Sequence, residues 1–417
     1  MDGARTVHAT FGTRSEASHE TLANFGNEEY LDYNSTAPIA DGVLHAVRPF
    51  LSNEFGNPSS KTNRLGQRAR EAIETARGHV ANLVGSRADQ VVFTSGGTES
   101  CFAALVGAFR AQKNKRHLVI SAVEHPAVTE AAEFLRTMCG VEVTQVSVNR
   151  NGRLNIDELF EAIRPQTGVL SFMLANNETG VLFPVPEIVE MAHARGLLVH
   201  TDAVQAIGKI PVSFAELGVD LLSLSAHKFG GVKGSGALVI RDNALWEPVV
   251  KGGGQEGGRR GGTEAVALIV AQGEAAKNRK QQLDAGMAEG VRSVRDFFEA
   301  ALAERIPEVM INGAAMNRLP NTSSVQFEGV VAQELVQALA ERGIIVSAGS
   351  ACKAGSAEPS TVLRSMGLSV VQCLSTLRFS FGPHASRESV LHTIDILCET
   401  VAYFRAEMRE QLQANFR

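Results

Sequence analysis

The sequence predicts an α/β protein in which helices cover both faces of a mainly parallel β-sheet. From about residue 69 to 275, helix-like segments alternate with short apolar runs, which is the pattern of parallel strands joined by helical crossovers. The runs also lack the clean polar alternation of half-exposed strands, so we expect these strands to be buried on both sides. The pattern changes after residue 275, where a second, smaller α+β domain is predicted.

The elements of the large sheet can be placed from their periodicity. Ala69, Ile73, Ala76 and Val80 recur at the helical spacing and predict the first helix of this region. The apolar runs that follow predict strands. They cover residues 91–94, 117–122, 169–175, 197–203 and 221–226.

The division into domains follows from chain length and from the C-terminal pattern. A chain of 417 residues exceeds the size at which a single core keeps growing. After a charged stretch at 277–284, an amphipathic helix is expected through Ala303, and strands are expected at 322–327 and 377–380. We therefore predict three parts. Residues 1–28 form an N-terminal arm, residues 45–274 a large domain, and residues 29–44 together with 275–417 a small domain.

Composition argues against several classes of protein. The formal net charge of −5 gives no broad attraction to nucleic acid or to an anionic membrane, and no apolar run approaches the ~20 residues that span a bilayer. Asp2, Glu16 and Glu20 fit neither a secretory signal nor an acid-poor transit peptide. The five cysteines form no Cys-x-x-Cys pair, so neither a metal site nor a disulfide framework is indicated. We expect a cytoplasmic protein.

Polar residues cluster directly after the predicted strands. Ligands of open parallel sheets bind at the carboxyl ends of the strands, so these positions are candidates for a functional site. The clusters cover residues 95–99, 124–125, 176–178, 202–205 and 225–228. Their repeated placement supports a site more strongly than any one cluster does.

Three of these clusters suit a single cofactor. Gly96-Gly97 precedes a helix whose N–H groups attract phosphate, although an ordinary strand-to-helix turn has the same pattern. Asp202 can pair with a protonated pyridine nitrogen or can cap a helix. Lys228 follows a buried strand and can form a Schiff base; an exposed strand-end lysine is the alternative. Together they provide the phosphate cradle, ring-nitrogen partner and aldehyde partner that pyridoxal 5′-phosphate requires.

Ten motifs then occur in order along most of the chain. They are LDYNSTAP (31–38), GNPSS (56–60), FTSGGTES (93–100), EHPAV (124–128), ANNETG (175–180), HTDAVQ (200–205), SAHKFGG (225–231), GGGQEGGRRGGTE (252–264), SAGSACKAGSAEPSTVLRSMG (347–367) and LRFSFG (377–382). With these motifs the chain resembles the fold-type I pyridoxal phosphate enzymes, and specifically the cysteine desulfurases, over roughly residues 29 to 400. The resemblance implies a mainly parallel, seven-stranded sheet in the large domain.

The resemblance also implies roles for individual residues. Lys228 would bind the cofactor's aldehyde, and Asp202 would pair with its pyridine nitrogen. Gln205 would hydrogen-bond the phenolic oxygen, and His125 would stack on the ring and help to move protons. The phosphate would be held by Gly97, Thr98, Ser225, His227 and, from a partner subunit, Thr263; the substrate carboxylate would be bound by Asn177 and Arg378.

Cys352 is the residue that the resemblance makes the sulfur carrier. It lies among small residues in a predicted mobile loop at about 347–358. The adjacent Lys353 and the backbone amides of the loop favour the thiolate, which is the form that attacks sulfur. The other cysteines are expected to be small buried side chains. These are Cys101, Cys139, Cys373 and Cys398.

Three positions depart from the pattern of the family. Asn63 stands where many relatives have a histidine, and Cys101-Phe102 replaces a polar pair after the phosphate turn. Lys353-Ala354 replaces a Thr-Ser pair beside Cys352. No catalytic group is lost, and the last departure bears on the identity of the sulfur acceptor.

The function that the resemblance implies is removal of sulfur from L-cysteine. The products would be L-alanine and a persulfide on Cys352, which a homodimer would pass to a protein acceptor such as an iron–sulfur scaffold or a sulfur carrier. One alternative is a selenocysteine lyase or another β-elimination enzyme, which needs Lys228 and Asp202 but not Cys352. A non-catalytic scaffold of the same fold is the other.

Overall fold

The computed structural model describes residues 28–348 and 358–415. Its strands, in chain order, are β1 (Glu29–Tyr30), β2 (Val91–Thr94), β3 (His117–Ser121), β4 (Glu142–Val146), β5 (Thr167–Ser171), β6 (Leu198–Asp202), β7 (Leu221–Ser225), β8 (Gly236–Ile240), β9 (Val309–Asn312), β10 (Thr322–Phe327), β11 (Ile344–Ile345), β12 (Ser347–Ala348) and β13 (Thr376–Ser380). Its α-helices are α1 (Val43–Ser52), α2 (Arg64–Val84), α3 (Gly97–Ala111), α4 (Pro126–Cys139), α5 (Ile156–Ala162), α6 (Val185–His193), α7 (Phe214–Leu217), α8 (Val266–Asp284), α9 (Met287–Arg305), α10 (Ala332–Glu341), α11 (Thr361–Ser365), α12 (Val370–Leu374) and α13 (Arg387–Asn415).

The largest sheet has seven strands in the order β2-β8-β7-β6-β5-β3-β4. Only β8 of this described sheet is antiparallel to its neighbours, while the pairs among β3, β4, β5, β6 and β7 are parallel. The predicted mainly parallel, seven-stranded sheet is therefore confirmed. Two strands were not predicted: β4 lies at the sheet edge with mixed exposure, and β8 lies in a glycine-containing segment.

Helices cover both faces of this sheet, as the buried runs predicted. Alternate strand residues point to different cores, because successive side chains of a strand face opposite ways. Val119 packs into one core with residues of α2, α6 and α8. Its neighbours Leu118 and Ile120 pack into the other core with residues of α3 and α4.

The predicted C-terminal helix differs in detail from the structure. The charged stretch at 277–284 forms the last part of α8, and a separate helix, α9, begins at Met287. Gly286 separates them in a left-handed conformation, with φ +86°, which glycine adopts without steric cost. No helix within the described ranges is both long and apolar enough to cross a membrane.

A second, antiparallel sheet lies beside the large one, with the order β12-β13-β10-β9. Its core includes a cluster of phenylalanines in which the ring centroids of Phe298 and Phe379 are 4.8 Å apart. The remaining strand β1 pairs with β11 in parallel, and the chain continues from β1 into a segment that contacts both sheets. This connection places residues 31–38 next to the ends of the large-sheet strands.

Candidate active site

A cavity of about 250 Å³ opens at the carboxyl ends of β2, β3, β5, β6 and β7. Most of the site residues predicted from the sequence line it. They are Gly97, Thr98, His125, Asn177, Asp202, Gln205, Ser225, His227 and Lys228. The remaining lining is apolar and was not predicted: Ala127, Met173, Ala175 and Val204.

Lys228 lies in a 3₁₀ turn directly after β7, with its side chain at the cavity. Its Nζ donates hydrogen bonds to the main-chain oxygens of Asn34 and Ser35, each at 2.7 Å. These acceptors come from the segment that follows β1. The amine is therefore held by backbone oxygens at the junction of the two sheets, where it lines the cavity.

Asp202 ends β6 and is 6% exposed. Its Oδ1 accepts a hydrogen bond from the main-chain N–H of Val204 at 2.9 Å. Burial raises the pKa of Asp202, and the nearby His125 opposes that rise. A positive partner in the cavity, such as a protonated ring nitrogen, would favour the charged carboxylate.

His125 caps the N-terminus of α4 with its side chain. Its Nδ1 accepts from the main-chain N–H of Ala127 at 3.0 Å, so the neutral ring carries its proton on Nε2. Burial lowers the pKa of His125, while the carboxylate of Asp202 acts in the opposite direction. A neutral, half-buried imidazole at the cavity wall is suited to stacking and to proton transfer.

The end of the cavity near α3 is suited to an anion. Helix α3 begins at Gly97, and its N-cap Gly96 provides no side-chain hydrogen bond, so the first N–H groups of the helix need another partner. Gly96 has φ +153°, a conformation that other residues rarely adopt. Ser225 and His227 line the same cavity. Burial, followed by the charge of Lys228, lowers the pKa of His227 to about 4, so its ring is neutral at neutral pH.

Gln205 and Asn34 connect the cavity to the segment after β1. The Gln205 side chain donates from Nε2 to the main-chain oxygen of Asn34 at 3.0 Å. Asn34 is 1% exposed and donates from Nδ2 to Thr322 Oγ1 and to the main-chain oxygen of Asn177. One buried asparagine thus joins three segments that line or support the site.

Arg378 lies on β13 of the second sheet and is 4% exposed. It donates to the main-chain oxygen of Asn177 at 3.0 Å and to Asp32 Oδ1 and Ser35 Oγ, each at 2.8 Å. Its Nε and the Oδ1 of Asn177 are buried without a hydrogen-bond partner. Unpaired buried polar atoms carry a free-energy penalty, so this corner of the site is suited to a polar ligand.

Three predicted site residues do not line the cavity that the structure describes. Arg378 is one of them, although it donates a hydrogen bond to the main-chain oxygen of the lining residue Asn177. Thr263 is exposed and does not line it. Cys352 and its loop at 349–357 lie outside the described residues. Among the other cysteines, Cys101 and Cys373 are buried as expected, but the prediction was wrong for Cys139, which is exposed at the end of α4, and for the half-buried Cys398 on α13.

The arrangement fits pyridoxal 5′-phosphate. The α3 N-terminus with Ser225 and His227 is suited to its phosphate, and Lys228 is suited to its aldehyde. The buried Asp202 provides the carboxylate that a pyridinium nitrogen needs; burial raises its pKa, and a positive ring nitrogen would favour its charged form. The sequence did not predict the role of Asn34 or the apolar lining of the cavity, because no local pattern in the sequence marks these residues as part of the site.

Comparison with known proteins agrees with this geometry. The family described as aminotransferase class-V matches residues 29–392. The cysteine desulfurase IscS of Dictyoglomus turgidum is 42% identical over 371 residues, which cover 89% of this chain and 93% of that protein. The cysteine desulfurase NifS of Azotobacter vinelandii is 37% identical over 377 residues, which cover 90% of this chain and 93% of that protein.

Solved structures give the same result. A NifS-like protein superposes with a TM-score of 0.83 at 32% identity, covering 90% of this chain and all of that one. A NifS-like protein of Rickettsia africae has a TM-score of 0.80 at 28% identity, covering 90% of this chain and 99% of that one. The predicted fold class is thereby confirmed. The chain belongs to the aminotransferase class-V family and, within it, to the cysteine desulfurases.

Proposed function

We propose that this chain removes sulfur from L-cysteine with pyridoxal 5′-phosphate as its cofactor, and that Cys352 carries the sulfur to a protein acceptor. The observation that supports the proposal most strongly is that Lys228, Asp202 and His125 line one cavity. The chain that forms this cavity belongs to the cysteine desulfurases. When bound, the cofactor withdraws electrons from the substrate's Cα and makes its proton easier to remove. Asp202 would pair with the ring nitrogen, and Gly97, Thr98, Ser225 and His227 would hold the phosphate.

Substrate orientation is assigned to Arg378 and Asn177. A guanidinium binds a carboxylate through two N–H groups, and the buried Nε of Arg378 lacks a partner within the protein. Asp32 and Ser35 both accept from the neighbouring Nη2 and so fix the orientation of the guanidinium. Arg378 therefore reaches the ligand in a fixed orientation, which reduces the entropy lost on binding.

Proton transfer is assigned to Lys228, with His125 beside it. The Nζ of Lys228 would take the proton from the substrate's Cα. His125, neutral at neutral pH because burial lowers its pKa, would assist by holding a proton on Nε2. Both groups are half-buried at the cavity wall, which limits the access of water to this transfer.

Sulfur transfer is assigned to Cys352. Its thiolate would attack the substrate's sulfur, so that an S–S bond forms while the Cβ–S bond breaks. The electron pair left on carbon takes up a proton, and alanine is released. The enzyme then carries a persulfide, which a thiol of the acceptor protein can take in turn.

Lys228 provides the test of this site. The Lys228→Ala variant should lose alanine formation from cysteine by more than about 10²-fold, because it lacks both the covalent cofactor anchor and the base. Lys233→Ala is the matched control, since Lys233 is exposed on the same segment. Alanine is measured after incubation of each protein, loaded with pyridoxal 5′-phosphate, with L-cysteine. Equal rates in the two variants would contradict the assignment.

We also propose that the enzyme is a homodimer in which Thr263 reaches the phosphate site of the partner subunit. The exposure of Thr263 on its own chain supports this arrangement. A fully active monomer in light scattering would contradict it. A cytoplasmic setting is proposed from the small number of cysteines, those in the described residues being free thiols.

A further inference from the structure

A second lysine, Lys209, is buried beside the cavity. It is 7% exposed and lines a small void together with Lys228. The turn after β6 that carries it passes through Gly208 with φ +77°. A Cβ at Gly208 would lie 2.5 Å from the Cβ of Phe229, so only glycine allows the chain to bring Lys209 into this position.

The Lys209 side chain contacts two side-chain oxygens. Its Nζ donates to Asn34 Oδ1 at 2.6 Å and to Gln205 Oε1 at 2.5 Å. The amide oxygen of Gln205 therefore faces Lys209 as an acceptor, and its Nε2 faces away. That Nε2 uses one hydrogen on the main-chain oxygen of Asn34. Gln205 lines the cavity, and the second hydrogen of its Nε2 is the donor it can offer there.

The buried surroundings make this arrangement costly to change. The main-chain oxygen of Asn34 also accepts from Lys228, and Asn34 Oδ1 also accepts from Asn321 at 3.1 Å. Removing Lys209 would leave the Gln205 oxygen without its partner in a dry interior. Burial, and next the charge of Lys228, lower the pKa of Lys209 well below its ordinary value. Whether Lys209 is a charged ammonium or a neutral amine, its Nζ has enough N–H groups to donate to both Asn34 Oδ1 and Gln205 Oε1.

We propose that Lys209 is a positioning residue that fixes the amide of Gln205, so that an N–H rather than the amide oxygen faces the phenolic oxygen of pyridoxal 5′-phosphate. The inference rests on the proposed cofactor. An amide oxygen turned toward the phenolic oxygen would repel it, whereas an N–H stabilises its negative charge. Lys209 itself need not touch the cofactor to have this effect.

The orientation of Gln205 has a spectroscopic consequence. A hydrogen bond to the phenolic oxygen stabilises that oxygen most when the nitrogen joining Lys228 to the cofactor has lost its proton. The donor therefore lowers the pH at which that nitrogen titrates, and loss of the donor raises it. The expected rise is roughly half to one pH unit, which corresponds to one hydrogen bond of ordinary strength.

The experiment is a pH titration of the visible absorbance of the holoenzyme without substrate. The Lys209→Met variant should shift the midpoint upward by roughly half to one unit, and Gln205→Met should shift it in the same direction. Lys209→Met added to Gln205→Met should produce no further shift. An unchanged midpoint in Lys209→Met overturns the proposal, and so do additive shifts in the double variant, which would indicate a direct effect of the lysine's charge.

Folding and cofactor binding are controlled separately. Lys209→Gln serves if Lys209→Met does not fold, because a second amide lets Gln205 take either orientation and predicts a smaller upward shift. An unchanged midpoint in Lys209→Gln then overturns the proposal. Wild-type protein that shows no absorbance of a lysine-bound cofactor would instead contradict the proposed function, so the two failures are distinguishable.

Discussion

At the scale of single residues, burial sets the charge of the groups around the cavity. It raises the pKa of Asp202 and lowers the pKa of His125. Glu124, which precedes His125, is the clearest case: burial raises its pKa to about 8. Its Oε1 accepts from Ser121 Oγ at 2.6 Å and from the main-chain N–H of Met173 at 3.0 Å, while Oε2 has no partner.

Glu124 predicts a pH dependence of stability. Because its pKa is about 8 in the folded protein and 4.5 when exposed, the folded state binds more protons between these values. The associated stability is complete below pH 4.5 and is lost as the pH rises through 8, with a slope of up to about 1.4 kcal/mol per pH unit. Glu124→Gln, which resembles the protonated acid, should flatten this slope in urea unfolding between pH 5 and 8. Equal slopes for the variant and the wild type would refute the assignment, and the exposed Glu133→Gln is the control.

At the scale of elements, a buried ion pair attaches an irregular segment to the helix and strand beside it. The glycine-rich segment 252–264, which carries Thr263, has no regular strand or α-helix. Glu256 is buried within it at φ +49°. Its carboxylate accepts from the Arg77 guanidinium at 2.7 and 2.9 Å and from the main-chain N–H of Phe93 at 2.9 Å. This pair attaches the segment to α2 and β2.

Glu256→Gln should therefore destabilise the protein by about 3 kcal/mol, because it leaves a buried guanidinium with an incomplete partner. Urea unfolding measures the change. The matched control is Lys277→Ala, which removes a partly exposed ion pair with Glu274 and should cost less than about 1 kcal/mol. A cost for Glu256→Gln as small as that of the control would show that the ion pair does not hold the segment in place.

Some of these elements could be predicted from the sequence, and others could not. The strand β2 has its predicted bounds because its residues form an apolar run, while the edge strand β4 has no such run. Asp202 was identified because it ends a buried strand, and Lys228 because it follows one. Lys209 and Asn34 were missed because their roles depend on a contact between residues 175 positions apart. A contact of that separation leaves no local pattern in the sequence.

At the scale of the whole molecule, the two sheets share one site. Lys228, Asp202 and His125, at the ends of the large-sheet strands, line the cavity, and Arg378 on β13 of the second sheet donates to the main-chain oxygen of the lining residue Asn177. Asn34, in the segment after β1, hydrogen-bonds to groups from both sides. The sulfur-carrying loop predicted at 347–358 continues from β12, which pairs with β13 beside Arg378. We therefore propose that Cys352 completes a site that the described residues form only in part.

The most direct test of this account is mass spectrometry of the protein after reaction with L-cysteine. The holoenzyme should release alanine, and the peptide that carries Cys352 should gain the mass of one sulfur atom. Cys352→Ala should lose both signals, whereas Cys139→Ala, at an exposed cysteine, should retain them. Undiminished alanine formation by Cys352→Ala would contradict sulfur transfer through Cys352 and favour a β-elimination enzyme instead.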